Sequence, residues 1–186
     1  MNRSKKDHIL TVASELFYKN GIRATGVDQV VAESKIAKMT LYNHFPSKDD
    51  LVLAYLLRHD ERWRAWFEAA VAESAGTPKE RLLAVYDVLG RWFEEPGFNG
   101  CAFLKTASEY ADPSHPYYEA AHRYKSHLKT YLSDLAGRLD EANREALAGG
   151  LYLLAEGAIA ARMLRTDPDA ARHARATAEL LLARYR

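Results

Sequence analysis

The sequence predicts an all-α fold. Apolar residues recur at helical spacing along nearly the whole chain, and no alternating run bounded by turn signals marks a strand. Ser, Thr or Asp stands before most of these periodic stretches, where a helix needs its first N–H groups capped. Nine helices are expected.

Ser4 caps the first, with Asp7 near its positive end. Ile9, Val12, Ala13, Leu16 and Phe17 form its apolar stripe, and Asn20-Gly21 ends it. A short helix follows from about Val27 to Ser34, with Thr25 and Asp28 at capping-box spacing. After a break at Ser34-Lys35-Ile36-Ala37, another short helix covers Lys38 to Phe45 and stops at Pro46. Ser47 and Asp50 cap a long helix running to about Ser74. Thr77-Pro78-Lys79-Glu80 opens the next with a capping box and a proline at its first position. A short helix spans about Cys101 to Tyr110, and the prolines at 113 and 116 break the chain after it. Three more helices run from Tyr117 to about Ala136, from Asp140 to about Arg165, and from Asp167-Pro168 onward.

Composition excludes several classes. Among 186 residues, 48% are apolar and 27% charged, which argues against disorder. Lys and Arg number 26 against 25 Asp and Glu, so bulk charge names neither a nucleic-acid nor a membrane partner. Residues 1–50 carry eight basic against six acidic side chains, a sign that suits a DNA-facing N-terminus. The single cysteine, Cys101, cannot form a disulfide within the chain, which fits a reducing cytoplasm. Asp7 and His8 follow the basic start where a signal peptide would turn apolar, and no uninterrupted apolar run is long enough to span a membrane.

The segment from Thr25 to Phe45 reads as a helix-turn-helix. Its second helix has a split that a groove-reading helix requires. Ile36, Leu41 and Phe45 form a face that packs on the domain, while Lys38, Thr40, Asn43 and His44 offer hydrogen-bonding groups. Tyr42 can lay its ring along a sugar and its hydroxyl on a phosphate.

The run Thr40-Leu41-Tyr42-Asn43-His44-Phe45-Pro46-Ser47-Lys48-Asp49-Asp50-Leu51 resembles the recognition helix and following cap of the TetR family of bacterial transcriptional repressors. Upstream, Ala13-Ser14-Glu15-Leu16-Phe17, Gly21, Ala24-Thr25 and Val27-Asp28-Gln29-Val30 are similar to that family's first two helices. The resemblance implies a helix-turn-helix DNA-binding domain over residues 1–48. It also implies a helical ligand-binding and dimerisation domain over 49–186. By position, Thr25, Lys38, Thr40, Tyr42, Asn43, His44 and Lys48 are implied DNA contacts, with Asn43 the position that sets specificity. Three residues depart from the family pattern: Lys35 stands for a turn glycine, Ala37 for a capping serine, and Met39 for a small residue.

The last two helices carry many small residues, among them Gly149, Gly150, Gly157, Ala158 and Ala161, then Ala171, Ala174 and Ala178. Small residues let helices approach closely, and the resemblance implies a homodimer through these two helices. It also implies an inducer cavity among the aromatic middle helices, with Trp66, Phe67, Tyr86, Phe103, Tyr110 and Tyr152 as lining candidates. The inducer would be a small apolar or aromatic molecule whose binding tilts the helix starting after Ser47 and lowers operator affinity.

Two other classes stand beside this reading. Glu119-Ala120-Ala121-His122 has the spacing of one half of a di-iron site, but no second copy accompanies it, so neither a metal, a cofactor nor an enzyme is expected. An all-helical adaptor with no DNA role is the other. Cys101 stands either as a buried structural residue or as a sensor of oxidants or electrophiles. Activation stays open beside repression.

Overall fold

The computed structural model describes residues 4–185; residues 1–3, part of the basic start read above as no signal peptide, and residue 186 lie outside the described residues. Within that span there are nine α-helices and no strand. They are α1 (Lys5–Asn20), α2 (Val27–Ser34), α3 (Lys38–His44), α4 (Lys48–Ser74), α5 (Pro78–Phe93), α6 (Ala102–Glu109), α7 (Pro116–Leu139), α8 (Arg144–Met163) and α9 (Ala170–Leu182). The all-α reading holds, and a 3-10 turn at Glu141–Asn143 precedes α8.

Several starts form as local chemistry dictates. Ser4 Oγ accepts the Asp7 N–H at 3.2 Å. Ser47 and Asp50 cap each other at α4, with Asp50 N–H on Ser47 Oγ at 3.1 Å and Ser47 N–H on Asp50 Oδ2 at 3.0 Å. Thr77 and Glu80 close a full capping box with Pro78 at the first helical position. The expected Thr25–Asp28 box does not form. Gly26 is the N-cap of α2 and makes no side-chain cap. Thr25 is buried, and its hydroxyl turns back to donate to Gly21 O at 2.8 Å.

Packing divides the chain into two units. The first comprises residues 1–61 and 102–122, which hold α1, α2, α3, the first half of α4, α6 and the opening of α7. Ile9, Ala13, Phe17, Val30, Leu41, Phe45, Leu51 and Tyr55 are among its buried core residues. Arg58 on α4 ties down α1, donating to Asp7 Oδ1 at 2.6 Å and to Thr11 Oγ1 at 3.1 Å.

The second unit comprises residues 62–101 and 123–186. Here α5, α8 and α9 pack on one another. A methyl at Gly90 on α5 would lie 3.4 Å from the Ala171 Cβ on α9, so small residues do bring these helices close. Arg175 on α9 pairs with Asp87 on α5 at 2.9 Å. An aromatic cluster fills the core of this unit. Trp63 stacks on Phe67 at 4.5 Å, and the edges of Trp92 and Tyr124 meet it at 5.4 Å each. Glu141–Met163 is long and apolar enough by composition to cross a membrane, but α8 packs on α5 and α9 and carries Glu145 and Glu156.

Candidate nucleic-acid interface

Helix α3 rests on α1 and α2. Leu41 and Phe45, one turn apart, are buried beneath it. The opposite face is open: Lys38, Met39, Tyr42 and Asn43 are exposed, and Thr40 and His44 are half-buried along its flanks. Met39 and Tyr42 are 71% and 39% exposed, the two large apolar side chains that α3 shows to solvent. Of the residues singled out for this helix, Lys38, Met39, Thr40, Leu41, Tyr42, Asn43 and His44 lie on α3, whereas Phe45 is its C-cap and half-buried Ile36 precedes it.

The turn before α3 carries strain. Lys35 ends α2 at φ 53°, ψ 42°, the left-handed conformation that favours glycine. Ala37 precedes α3 and provides no side-chain cap. Both features match the departures noted in the sequence.

The cations of the motif have intramolecular partners. Lys38 Nζ lies 2.7 Å from Asp28 Oδ1, and that hydrogen bond and charge raise the ammonium pKa above its usual value. Lys48 Nζ donates to Ile22 O at 2.7 Å. Thr25, as described above, donates to Gly21 O.

A second set of groups steadies this motif from α6 and α7. Glu109 at the end of α6 accepts backbone N–H groups from Ile22 at 3.2 Å and Arg23 at 2.8 Å. One turn earlier, Lys105 Nζ donates to Tyr18 O at 2.7 Å. Burial lowers the Lys105 pKa, against a smaller raising effect of Glu109. The Arg23 guanidinium sits 4.9 Å from the Tyr110 ring centre. Tyr117 at the start of α7 donates to Asp49 Oδ1 at 2.6 Å, and burial followed by this carboxylate pushes its phenol pKa well up. Sequence reasoning named none of these supporting roles for Lys105, Glu109, Asp49 and Tyr117. Their partners are far away in the chain, and most are main-chain atoms, which leave no pattern in the sequence.

Residues 9–55 match the family described as "Bacterial regulatory proteins, tetR family", and residues 78–178 match "Tetracyclin repressor-like, C-terminal domain". The chain belongs to the TetR family. TetR-family proteins are DNA-binding transcriptional regulators rather than enzymes, and this chain is one of those regulators. The crystal structure of SCO4454, a TetR-family transcriptional regulator from Streptomyces coelicolor, is similar with a TM-score of 0.88 and 32% identity, over 96% of this chain and 94% of that one. The HTH-type transcriptional regulator YjdC of Escherichia coli is 24% identical over 86% of this chain and 83% of its own length. The HTH-type transcriptional repressor KstR2 of Mycobacterium tuberculosis is 31% identical over 45% of this chain and 41% of its own.

In this TetR-family chain the aromatic candidates fall in both units. Phe103 is buried in the first, its ring 5.7 Å from His59, and Tyr110 is half-buried there between His115 and Tyr117 at 4.7 Å each. In the second unit Phe67 is buried in the tryptophan cluster, while Trp66 and Tyr152 are half-buried. Tyr86 is fully buried and donates to Leu151 O at 2.8 Å; burial pushes its pKa well up. Two clefts of about 300 and 270 Å³ in this unit are lined by other residues, Phe98 and Arg162 in one, Tyr131 and Arg81 in the other. Cys101 is buried near the Lys125–Glu156 ion pair, which closes at 2.8 Å. Glu119 and His122 are exposed on α7, and no group of three or more His, Cys, Asp or Glu among the described residues is arranged to hold a metal.

Proposed function

We propose that the chain is a repressor that binds a palindromic operator as a homodimer and is released by a small, largely apolar or aromatic molecule. Residues 1–48 form the DNA-binding domain in this reading, and 49–186 bind ligand and dimerise. It would act in the cytoplasm, on double-stranded DNA. The observation that carries the reading is the polar face of α3, opposite a buried Leu41 and Phe45. A helix so divided suits the major groove, where base edges offer hydrogen-bond patterns that differ for every pair.

In this reading Asn43 would read a base edge, with Thr40 and His44 beside it and Tyr42 on the backbone. Thr25, Lys38 and Lys48 would meet phosphates. Each already has an acceptor within the protein, so each phosphate contact exchanges one partner for another. Two half-sites are needed for tight binding, since one short helix makes few contacts. Support for a twofold mate comes from α8 and α9. Leu153 and Leu180 are 69% and 78% exposed, and a methyl added at Gly149 or Gly157 would meet nothing within 4 Å. An apolar stripe beside open glycines suits a closely packed helical interface.

For the ligand, the support is the aromatic content of the second unit. Trp66 and Tyr152 have faces to offer, and Phe67 and Tyr86 would serve as walls. Among the described residues the buried indole N–H of Trp63 has no hydrogen-bond partner. A ligand acceptor there would satisfy it.

The test is fluorescence anisotropy with duplexes from upstream of the chain's own gene. Binding should weaken steeply with salt, because neutralised phosphates release counterions. Tyr42→Ala should weaken binding to every duplex, whereas Asn43→Ala should change which duplex is preferred. Equal, weak effects from both substitutions would count against this placement of α3. A promoter–reporter assay then reads the direction of regulation.

A further inference from the structure

Met39 is the least covered large apolar side chain among the described residues of the first unit, and it stands on a face whose other exposed members carry polar groups. Its neighbours on that face are Tyr42 and Asn43, three and four residues on, which places the three along one side of α3. Lys38, beside it, is drawn toward α2 by the 2.7 Å pair with Asp28. The front of α3 thus presents a thioether rather than an ammonium. Most of its surface is open to solvent, and exposed apolar surface of this size is unfavourable in water.

Resting on the reading that α3 enters the major groove, we propose that Met39 is a specificity-determining residue that packs against the C5-methyl of one thymine in each half-site. The chemistry is selective. Among the four base pairs, the major-groove edges carry one apolar group, the thymine methyl, and all their other distinguishing groups are donors and acceptors. A methionine cannot compete for those, but it can cover a methyl. Its unbranched, rotatable side chain adapts to the position that Asn43 and Tyr42 leave for it. Asn43 reads hydrogen bonds, and Met39 reads the presence of a methyl group one turn earlier on the same face.

Operators enriched by the wild-type chain from a randomised duplex library provide the probe. Each thymine of the enriched half-site is replaced in turn by deoxyuridine, which removes the methyl and leaves every hydrogen-bonding group in place. With the wild-type chain, uracil at one position should weaken binding about fourfold per half-site, the worth of one buried methyl group. Met39→Ala should bind the thymine and uracil operators equally. As Met39 is exposed, this variant should melt with the wild type, which a thermal scan checks. If no uracil position matters, or if the penalty survives in Met39→Ala, the role assigned to Met39 is overturned while DNA binding stands. A library from which the wild type enriches nothing removes the groove reading, and Met39 with it.

Discussion

The Glu109 carboxylate holds the backbone N–H groups of Ile22 and Arg23, 87 and 86 residues earlier in the chain, at 3.2 and 2.8 Å. The end of α6 thus caps the turn between α1 and α2. The same turn needs Gly21, whose φ is 92° and whose added Cβ would lie 2.8 Å from Glu109 Oε1. Glu109→Ala should lower stability by about 1–2 kcal/mol, since two donors lose a charged acceptor. Gly21→Ala should cost at least as much, from positive φ and from displacement of the carboxylate. Denaturant midpoints of the two single variants and the double variant would show less than additive losses.

The turn before α3 can be improved. Lys35→Gly relieves a left-handed backbone and should raise stability by about 1 kcal/mol. Ala37→Ser supplies the missing cap and should add about 1 kcal/mol. Chemical denaturation checks both, and a loss in either variant would contradict the geometry of the turn.

Asp28 competes with DNA for Lys38. Asp28→Asn releases the ammonium and removes a negative charge from the neighbourhood of a phosphate. Operator affinity should rise severalfold at low salt, and the gain should shrink as salt screens it. Anisotropy titrations at two ionic strengths read both effects.

His59 gives the first unit a pH dependence. Burial lowers its pKa from 6.5 to about 4, against a smaller opposing effect of Asp60. Between those values the unfolded chain binds a proton that the folded chain does not, so stability falls as pH drops through this window. The loss approaches roughly 3 kcal/mol near pH 4. A His59→Gln variant should show a flatter stability profile between pH 7 and pH 4.5, measured by urea midpoints. An unchanged slope would mean that the imidazole is not held neutral.

Leu153→Glu combined with Leu180→Glu places charges on the exposed stripe of α8 and α9. The proposed dimer should dissociate, seen by light scattering, and operator affinity should drop by orders of magnitude as one half-site is lost. Retention of the dimer would move the interface elsewhere.

What the sequence revealed and what it hid divide by distance along the chain. Ser4 with Asp7, Ser47 with Asp50 and Thr77 with Glu80 act within one turn, so their spacing alone placed three helix starts. Lys35 and Ala37 were readable only through the family resemblance, whose pattern has a turn glycine and a capping serine at these positions. Thr25 misled for a tertiary reason: the same spacing served a buried hydroxyl bound to Gly21 O. The spacing of Asp28 suggests a cap, whereas its hold on Lys38 needs two helices brought together. The roles of Lys105, Glu109 and Tyr117 depended on partners from 68 to 87 residues away.

Lys105 and Glu109, four residues apart on α6, would ordinarily be read as a solvent-side ion pair. Instead they work as a two-pronged clip, the cation on a carbonyl at the close of α1 and the anion on the amides that follow. Both prongs grip main-chain atoms. These hydrogen bonds themselves do not depend on the side chains at 18, 22 and 23, although Ile22 is also held by burial, whereas drift at 105 or 109 cannot be repaired from the other side. Mutational tolerance across this contact should be lopsided where the chain is open to solvent, generous at exposed Arg23 and strict at both prongs of the clasp.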